Sequence, residues 1–83
     1  MNNDLLKISK ALCDETRLNI IEFLLNNEKC VCEIIFHVKK AQSTVSLQLK
    51  KLENLGLIQS RKEGKQVFYF IKEKKIKKLF ELF

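Results

Sequence analysis

The spacing of apolar residues changes once along this chain, at Gly56. Before this glycine, apolar residues recur every three or four positions, which is typical of helices that bury one face. After it, residues 57–61 and 66–71 form two short strand-like runs, and the polar segment 62–65 between them contains one glycine. Residues 73–83 return to helical spacing. The pattern therefore predicts a mainly α-helical domain that carries one β-hairpin.

Local signals set the ends of the predicted helices. Asp14 is a suitable N-cap for the second helix, and Gly56 is a suitable left-handed residue just after the fourth. The segment 39–41 is a tight connection between the third helix and the fourth. The predicted helices cover residues 4–12, 15–26, 31–38, 42–55 and 73–83.

Composition argues against an enzyme and against a membrane span. His37 is the only histidine, and Gly56 and Gly64 are isolated, so neither a histidine-based triad nor a glycine-rich phosphate loop has support. No apolar run approaches the roughly 18 residues that a transmembrane helix needs. The N-terminal residues lack the features of a signal peptide. We therefore expect one domain, residues 1–83, in a soluble cytoplasmic protein.

The net charge of +6 is unevenly spread along the chain. Residues 1–38 hold four basic and six acidic residues, whereas residues 39–83 hold twelve basic and four acidic ones, so the two parts carry −2 and +8. Such a basic half is either a solvated lysine-rich surface or the footprint of a polyanion. The elements that carry the charge have to decide between the two.

The order of four helices, a hairpin and a fifth helix is the layout of a winged helix-turn-helix. In that fold the second helix of the motif lies in the major groove, and the hairpin, or wing, can reach a neighbouring phosphate or the minor groove. At 100° per residue, Gln42 and Ser46 fall on the inner half of the fourth helix, and Leu47 lies at the centre of the outer face. Double-stranded DNA is the predicted partner, and the predicted contacts are Gln42, Ser43, Thr44, Ser46, Leu47, Gln48, Lys50, Lys51, Arg61, Lys62 and Lys65.

Four segments resemble the ArsR/SmtB family of winged-helix repressors. They read LCDETRLNIIEFLL (residues 12–25), CVCEI (30–34), QSTVSLQLKKLENLGLI (42–58) and GKQVFYFI (64–71). The resemblance is collinear and covers most of the chain. It implies a homodimeric transcriptional repressor that responds to a metal or a metabolite, with residues 4–12 and 73–83 as the dimerisation helices. Apolar residues at the C-terminus, among them Phe80, Leu82 and Phe83, favour such a partner surface.

The chain departs from the family pattern at the fourth helix. Ala41 stands where the family often has a capping Ser, which removes a cap worth about 1 kcal/mol. Leu47 and Gln48 stand where the family often has Arg-His. The operator sequence therefore cannot be carried over from the family.

Cys30 and Cys32 fall where arsenic-responsive members carry a thiolate motif, but Ile35 replaces the third cysteine of that motif. Three cysteines, two of them one residue apart, form a poor disulfide framework and favour reduced thiols. Thiolates suit As(III), Sb(III), Cd(II) or Zn(II), and Cys13 either completes a three-sulfur site or is a small buried hydrophobe. Because residues i and i+2 of a regular helix point about 200° apart, an ion shared by Cys30 and Cys32 is expected to distort the third helix.

Two other interpretations stay open from the sequence. Cys32, in the first turn of a helix and near Lys29, has the surroundings of a redox-sensing thiol, and the pair can also be an inherited motif without a metal role. Oxidation is then expected to bend or unfold the first turn of the third helix.

The rival to an effector-controlled repressor is an effector-independent winged-helix module that binds proteins or shapes DNA.

Overall fold

The computed structural model describes the chain from residue 3 to residue 81, and the side chains of Leu6 and of residues 8–81. Leu82 and Phe83 lie outside this part. The element order confirms the predicted class, since four helices precede an antiparallel hairpin and a last helix follows it. The elements are α1 (Asn3–Leu12), α2 (Glu15–Leu24), β1 (Lys29–Cys30), α3 (Val31–Val38), α4 (Gln42–Asn54), β2 (Ile58–Glu63), β3 (Gln66–Ile71) and α5 (Lys75–Glu81).

Helix α2 begins at the predicted cap. Asp14 has extended backbone angles, and its Oδ1 accepts a hydrogen bond of 3.0 Å from the Arg17 amide. This bond satisfies one of the amides that a helix start leaves without an intrahelical partner. The helix ends at Leu24, two residues before the predicted end.

Replacing Asp14 with Ala is expected to lower the free energy of unfolding by about 1 kcal/mol, because the Arg17 amide loses its acceptor. Urea unfolding followed by circular dichroism measures this loss. Asp14→Asn is the matched control, because asparagine caps as well as aspartate does. An Asn variant as unstable as the Ala variant would contradict the capping role.

One apolar core joins all five helices to the hairpin. Helix α4 contributes Val45, Leu49 and Leu52, each at most 1% exposed, and α5 contributes Ile76. The core of the described part consists of Ile8, Ala11, Ile20, Ile21, Leu24, Ile34, Val38, Val45, Leu49, Leu52, Leu57, Ile58 and Ile76. Because three core residues lie on one stripe of α4, its rotation relative to the rest of the domain is fixed.

The wing is longer and its turn tighter than the sequence indicates. Strand β2 continues to Glu63, which pairs with Gln66, so only Gly64 and Lys65 form the turn. Gly64 has a φ of +61°, a conformation that glycine adopts without strain. Lys62 therefore lies on a paired strand, and Lys65 lies at the tip.

A two-residue strand that the sequence analysis missed completes the sheet. Strand β1 pairs antiparallel with β3, with Lys29 opposite Tyr69 and Cys30 opposite Phe68. The strand order β1-β3-β2 places β3 in the middle. The wing is thereby tied directly to the residues that start α3.

Helix α5 begins two residues later than predicted, at Lys75, and the Lys75 amide donates to Glu73 Oε1 at 3.1 Å. Leu79 and Phe80 pack half-buried against the core. Within residues 3–81, no helix has the length and apolar character that crossing a bilayer requires.

Candidate nucleic-acid interface and cysteine pair

The connection between α3 and α4 is a three-residue turn, as predicted. Lys39 takes left-handed backbone angles, φ 57° and ψ 40°, and its amide donates to the Ile35 carbonyl at 3.1 Å. Ala41 occupies the N-cap of α4 and offers no side-chain cap. The turn thus sets α4 against α3 in the arrangement of a helix-turn-helix.

The outward face of α4 is polar and basic around one apolar residue. Leu47 is 55% exposed, and Ser43, Lys50 and Lys51 are exposed beside it. Thr44 is half-buried. A helix in a major groove presents this kind of face, because hydroxyl and amide groups can bond base edges and lysines can neutralise phosphates.

The predicted inner half of α4 needs a correction. Gln42 and Ser46 are exposed, because the core takes only the narrow stripe of Val45, Leu49 and Leu52. Gln48 is half-buried, and its Oε1 atom is buried without a hydrogen-bond partner. The outward face is therefore wider than the sequence indicates, and it includes the first residue of the helix.

The three predicted cations of the wing differ in their surroundings. Arg61 Nε donates to Glu28 Oε2 at 3.0 Å, Arg61 Nη2 contacts Glu28 Oε1, and Arg61 Nη1 lies 2.8 Å from Glu63 Oε2. The guanidinium also lies 4.7 Å from the centroid of the Phe68 ring. Lys62 and Lys65 are exposed and pair with no carboxylate among the described residues.

The ion pair between Arg61 and Glu28 shifts the pKa of both groups. Hydrogen bonds from the guanidinium hold the pKa of Glu28 below its ordinary value, and the two carboxylates raise the pKa of Arg61. The pair therefore stays ionised at neutral pH. Two carboxylates face Arg61. The uncompensated positive charge of the wing therefore comes from Lys62 and Lys65.

His37 takes part in a stack of side chains on the surface of the domain. Its ring stacks on Phe23 with 4.0 Å between the centroids, and Lys29 Nζ lies 4.9 Å from the centroid of the same Phe23 ring. His37 is exposed on α3. The stack is a surface contact between α2 and α3.

The structure joins the sulfur atoms of Cys30 and Cys32 at the start of α3, whereas the sequence favours reduced thiols. Cys30 is the N-cap of α3 and has extended angles, φ −75° and ψ 156°, so it does not follow helical geometry. The two sulfurs therefore meet while α3 remains regular from Val31 onward. Cys30 stands outside the helix, so the angle of about 200° between side chains of a regular helix does not apply to this pair, and the distortion expected from a shared ion or from oxidation stays a prediction.

The third cysteine stands apart from this pair in its surroundings. Cys13 has a free thiol and is exposed, so it is not the small buried hydrophobe that was one reading of it. Among the described residues, no three or more His, Cys, Asp and Glu side chains are grouped to hold a metal ion. Reduction of the pair would provide two sulfur ligands.

Comparison with known proteins decides the family. The sequence profile described as "Bacterial regulatory protein, arsR family" matches residues 14–60, more than half of the chain. This protein belongs to the arsR family. The family and its named regulators confirm a winged helix-turn-helix transcriptional regulator rather than an enzyme.

Similarity to individual arsR-family proteins extends over almost the whole chain. A cadmium resistance transcriptional regulatory protein homolog of Staphylococcus aureus is 40% identical over 79 residues, which are 94% of this chain and 65% of that protein. The solved structure of HlyU from Vibrio cholerae has a TM-score of 0.91 and 34% identity, and covers 99% of this chain and 92% of that one. A homodimeric winged helix-turn-helix DNA-binding domain from Mycobacterium bovis has a TM-score of 0.84 and 30% identity, and covers 96% and 74%.

Proposed function

We propose that this chain is a sequence-specific DNA-binding repressor that acts as a homodimer. The outward face of α4 is the observation that supports the proposal. Only a narrow stripe of three residues on α4 is buried, so the hydroxyl, amide and lysine groups of the helix face outward, next to a wing that also carries lysines. The family membership and the DNA-binding domain from M. bovis support the same function. The hydroxyl and amide groups of α4 and Leu47 read the bases. Lys50 and Lys51 of α4, and Lys62 and Lys65 of the wing, bind phosphates. Arg61 can contact phosphate only after its ion pairs with Glu28 and Glu63 have been broken.

Helices α1 and α5 are the proposed dimerisation elements. An apolar groove of about 340 Å³ lies between α1, α2 and α5 and is lined by Leu12, Leu18, Glu22 and Phe80. Leu6 is 44% exposed on α1. A second copy of the chain would cover these apolar surfaces and would place two α4 helices about 34 Å apart on a pseudo-palindromic site.

Reduced Cys30 and Cys32 are the proposed ligands for a thiophilic ion such as As(III), Cd(II) or Zn(II). The similarity to the cadmium resistance regulatory protein homolog of S. aureus supports a response to a metal. Because the described residues supply two sulfurs and no larger cluster, the remaining ligands must come from solvent, a small thiol or the second copy. The ion would then bind at the start of α3, next to the helix-turn-helix connection.

Fluorescence anisotropy of the reduced protein tests the proposal. The labelled probes are the DNA upstream of its own gene and a scrambled duplex of equal length, compared at several salt concentrations. We expect tighter binding to the upstream DNA and a linear fall of log affinity with log salt. Release by As(III) would support the metal ligands, whereas equal affinity for both duplexes would favour the effector-independent module.

Replacing both wing lysines, Lys62→Ala with Lys65→Ala, is expected to weaken upstream and scrambled DNA alike. Each lost phosphate contact lowers the salt slope by about 1, and the homodimer loses two contacts in each of its two wings, so the slope should fall by about 4. Anisotropy over a salt series measures this. The control pair, Lys72→Ala with Lys74→Ala, removes the same amount of charge outside the wing. If this control pair had an equal effect, Lys62 and Lys65 would not be specific phosphate contacts.

A further inference from the structure

The Arg61 side chain spans the middle strand of the sheet. Arg61 lies on β2 opposite Phe68 of β3, and Phe68 pairs on its other side with Cys30 of β1. Glu28 directly precedes β1 in the chain. The guanidinium lies over the Phe68 ring, 4.7 Å from its centroid, and donates through Nε to Glu28 Oε2 at 3.0 Å. The contact therefore joins one edge of the sheet to the loop that leads into the other edge.

The carboxylates meet the guanidinium in the way that a phosphate would. Nε and Nη2 face the two oxygens of Glu28, and Nη1 donates to Glu63 Oε2 at 2.8 Å. Arginine binds carboxylate and phosphate with the same planar fork of N–H groups. Because all three nitrogens of Arg61 already face carboxylate oxygens, a DNA phosphate has to displace a carboxylate in order to bind.

The carboxylates also reverse the charge at this place in the wing. One positive and two negative groups together carry −1, so the closed cluster repels a phosphate. Side chains two positions apart on a strand share a face, so Arg61 and Glu63 lie on one face of β2 and Lys62 points to the other. Lys62 is therefore outside the cluster and keeps its uncompensated charge.

Solvent reaches the whole cluster. The side chains of Arg61, Glu28 and Glu63 are 43%, 34% and 67% exposed. Ion pairs with this exposure contribute little to the stability of a fold. Exchange of a carboxylate for a phosphate on Arg61 therefore needs no change in the fold.

We propose that Glu28 is a positioning residue that holds Arg61 away from DNA, with Glu63 as the second carboxylate. The wing then binds the backbone through its lysines alone. Phosphate contacts strengthen binding to a duplex of any sequence, so Glu28 limits the sequence-independent part of the affinity. The inference rests on the proposed function, because it takes the wing as an element that meets the DNA backbone.

Glu28→Gln tests this role by anisotropy over a salt series. Glutamine keeps the shape of the side chain and removes its charge, so Arg61 becomes free to bind phosphate. We expect the affinity for upstream and scrambled DNA to rise by about five-fold or more. The salt slope should rise by about 2, because each of the two wings of the dimer gains one contact. Unchanged or weaker binding would overturn the proposal.

Arg61→Ala shows whether Glu28 acts through Arg61. In the wild type this change should leave the salt slope unchanged, because the guanidinium contacts no phosphate there. In the Glu28→Gln background it should abolish the gain in affinity and lower the slope by about 2. If Arg61→Ala had the same effect in both backgrounds, Arg61 would meet DNA regardless of Glu28, and the proposal would be wrong.

Glu15→Gln is the matched control, because it removes the same charge from an exposed residue in the first turn of α2. It should leave affinity and slope unchanged, and a gain equal to that of Glu28→Gln would overturn the proposal in favour of net charge alone. Circular dichroism checks that each variant folds. A wild type without preference for the upstream duplex would contradict the repressor, while the scrambled duplex would still report on Arg61. Absence of binding to either duplex in every variant would overturn both.

Discussion

Replacing Leu52 with Ala is expected to lower the free energy of unfolding by about 2–5 kcal/mol. Leu52 lies on α4, is 0% exposed and belongs to the core that joins the helices to the hairpin. Truncation removes apolar contacts and leaves a cavity that its neighbours cannot fully close. Since proteins are stable by only about 5–15 kcal/mol, this loss is a large fraction of the total stability.

Leu47→Ala is the matched control, because it makes the same change on the same helix. Leu47 is 55% exposed, so its loss should change the free energy of unfolding by no more than about 0.5 kcal/mol. It should instead reduce affinity for the upstream DNA, where we propose that Leu47 meets a base. Urea unfolding and anisotropy measure the two effects. Similar destabilisation by both changes would mean that α4 is rotated from the orientation described.

The double change Ser43→Ala with Thr44→Ala is expected to remove most of the preference for the upstream DNA. Contacts to base edges are each worth about 1–3 kcal/mol of discrimination, so the ratio of affinities should fall by about ten-fold or more. Affinity for scrambled DNA should change little, because the lysines remain. Anisotropy on the two duplexes measures the ratio.

Thr16→Ala is the control for this change, since Thr16 is a hydroxyl residue in the first turn of α2. It should leave the ratio of affinities unchanged. If the Ser43 and Thr44 changes weaken both duplexes equally, these residues bind the backbone and sequence is read elsewhere on α4. Unchanged affinity for both duplexes would remove Ser43 and Thr44 from the interface.

The sequence was sufficient for features whose causes are local. Asp14 caps the helix that follows it, and Gly56 has a φ of +78° just after α4. Both follow from the preferences of single residues. The bounds of α3 were also predicted, because four apolar residues repeat at helical spacing within it.

Features that depend on distant partners were missed. Strand β1 has two residues, which is too short for any periodicity, and it forms because β3 offers an edge. Arg61 was assigned to DNA on charge alone, and its partner Glu28 lies 33 positions earlier. The role of Arg61 in DNA binding therefore stays a prediction.

The sulfur pair was misjudged for a different reason. Helical angles were applied to Cys30 although the predicted helix begins at residue 31, and the extended angles of this cap position let its sulfur meet that of Cys32. The face of α4 shows a related error, since a division into two halves ignores how narrow a buried stripe can be. Geometry at the ends and edges of helices decided both cases.

The pairing of Cys30 with Phe68 has a consequence during protein synthesis. The ribosome makes Cys30 and Cys32 well before it makes β3, the strand that covers one of them. On the nascent chain, both sulfurs are therefore equally open to reagents, and an alkylating agent should label them at similar rates. The difference in exposure between the two cysteines is a property that the chain acquires only after β3 has been made and paired.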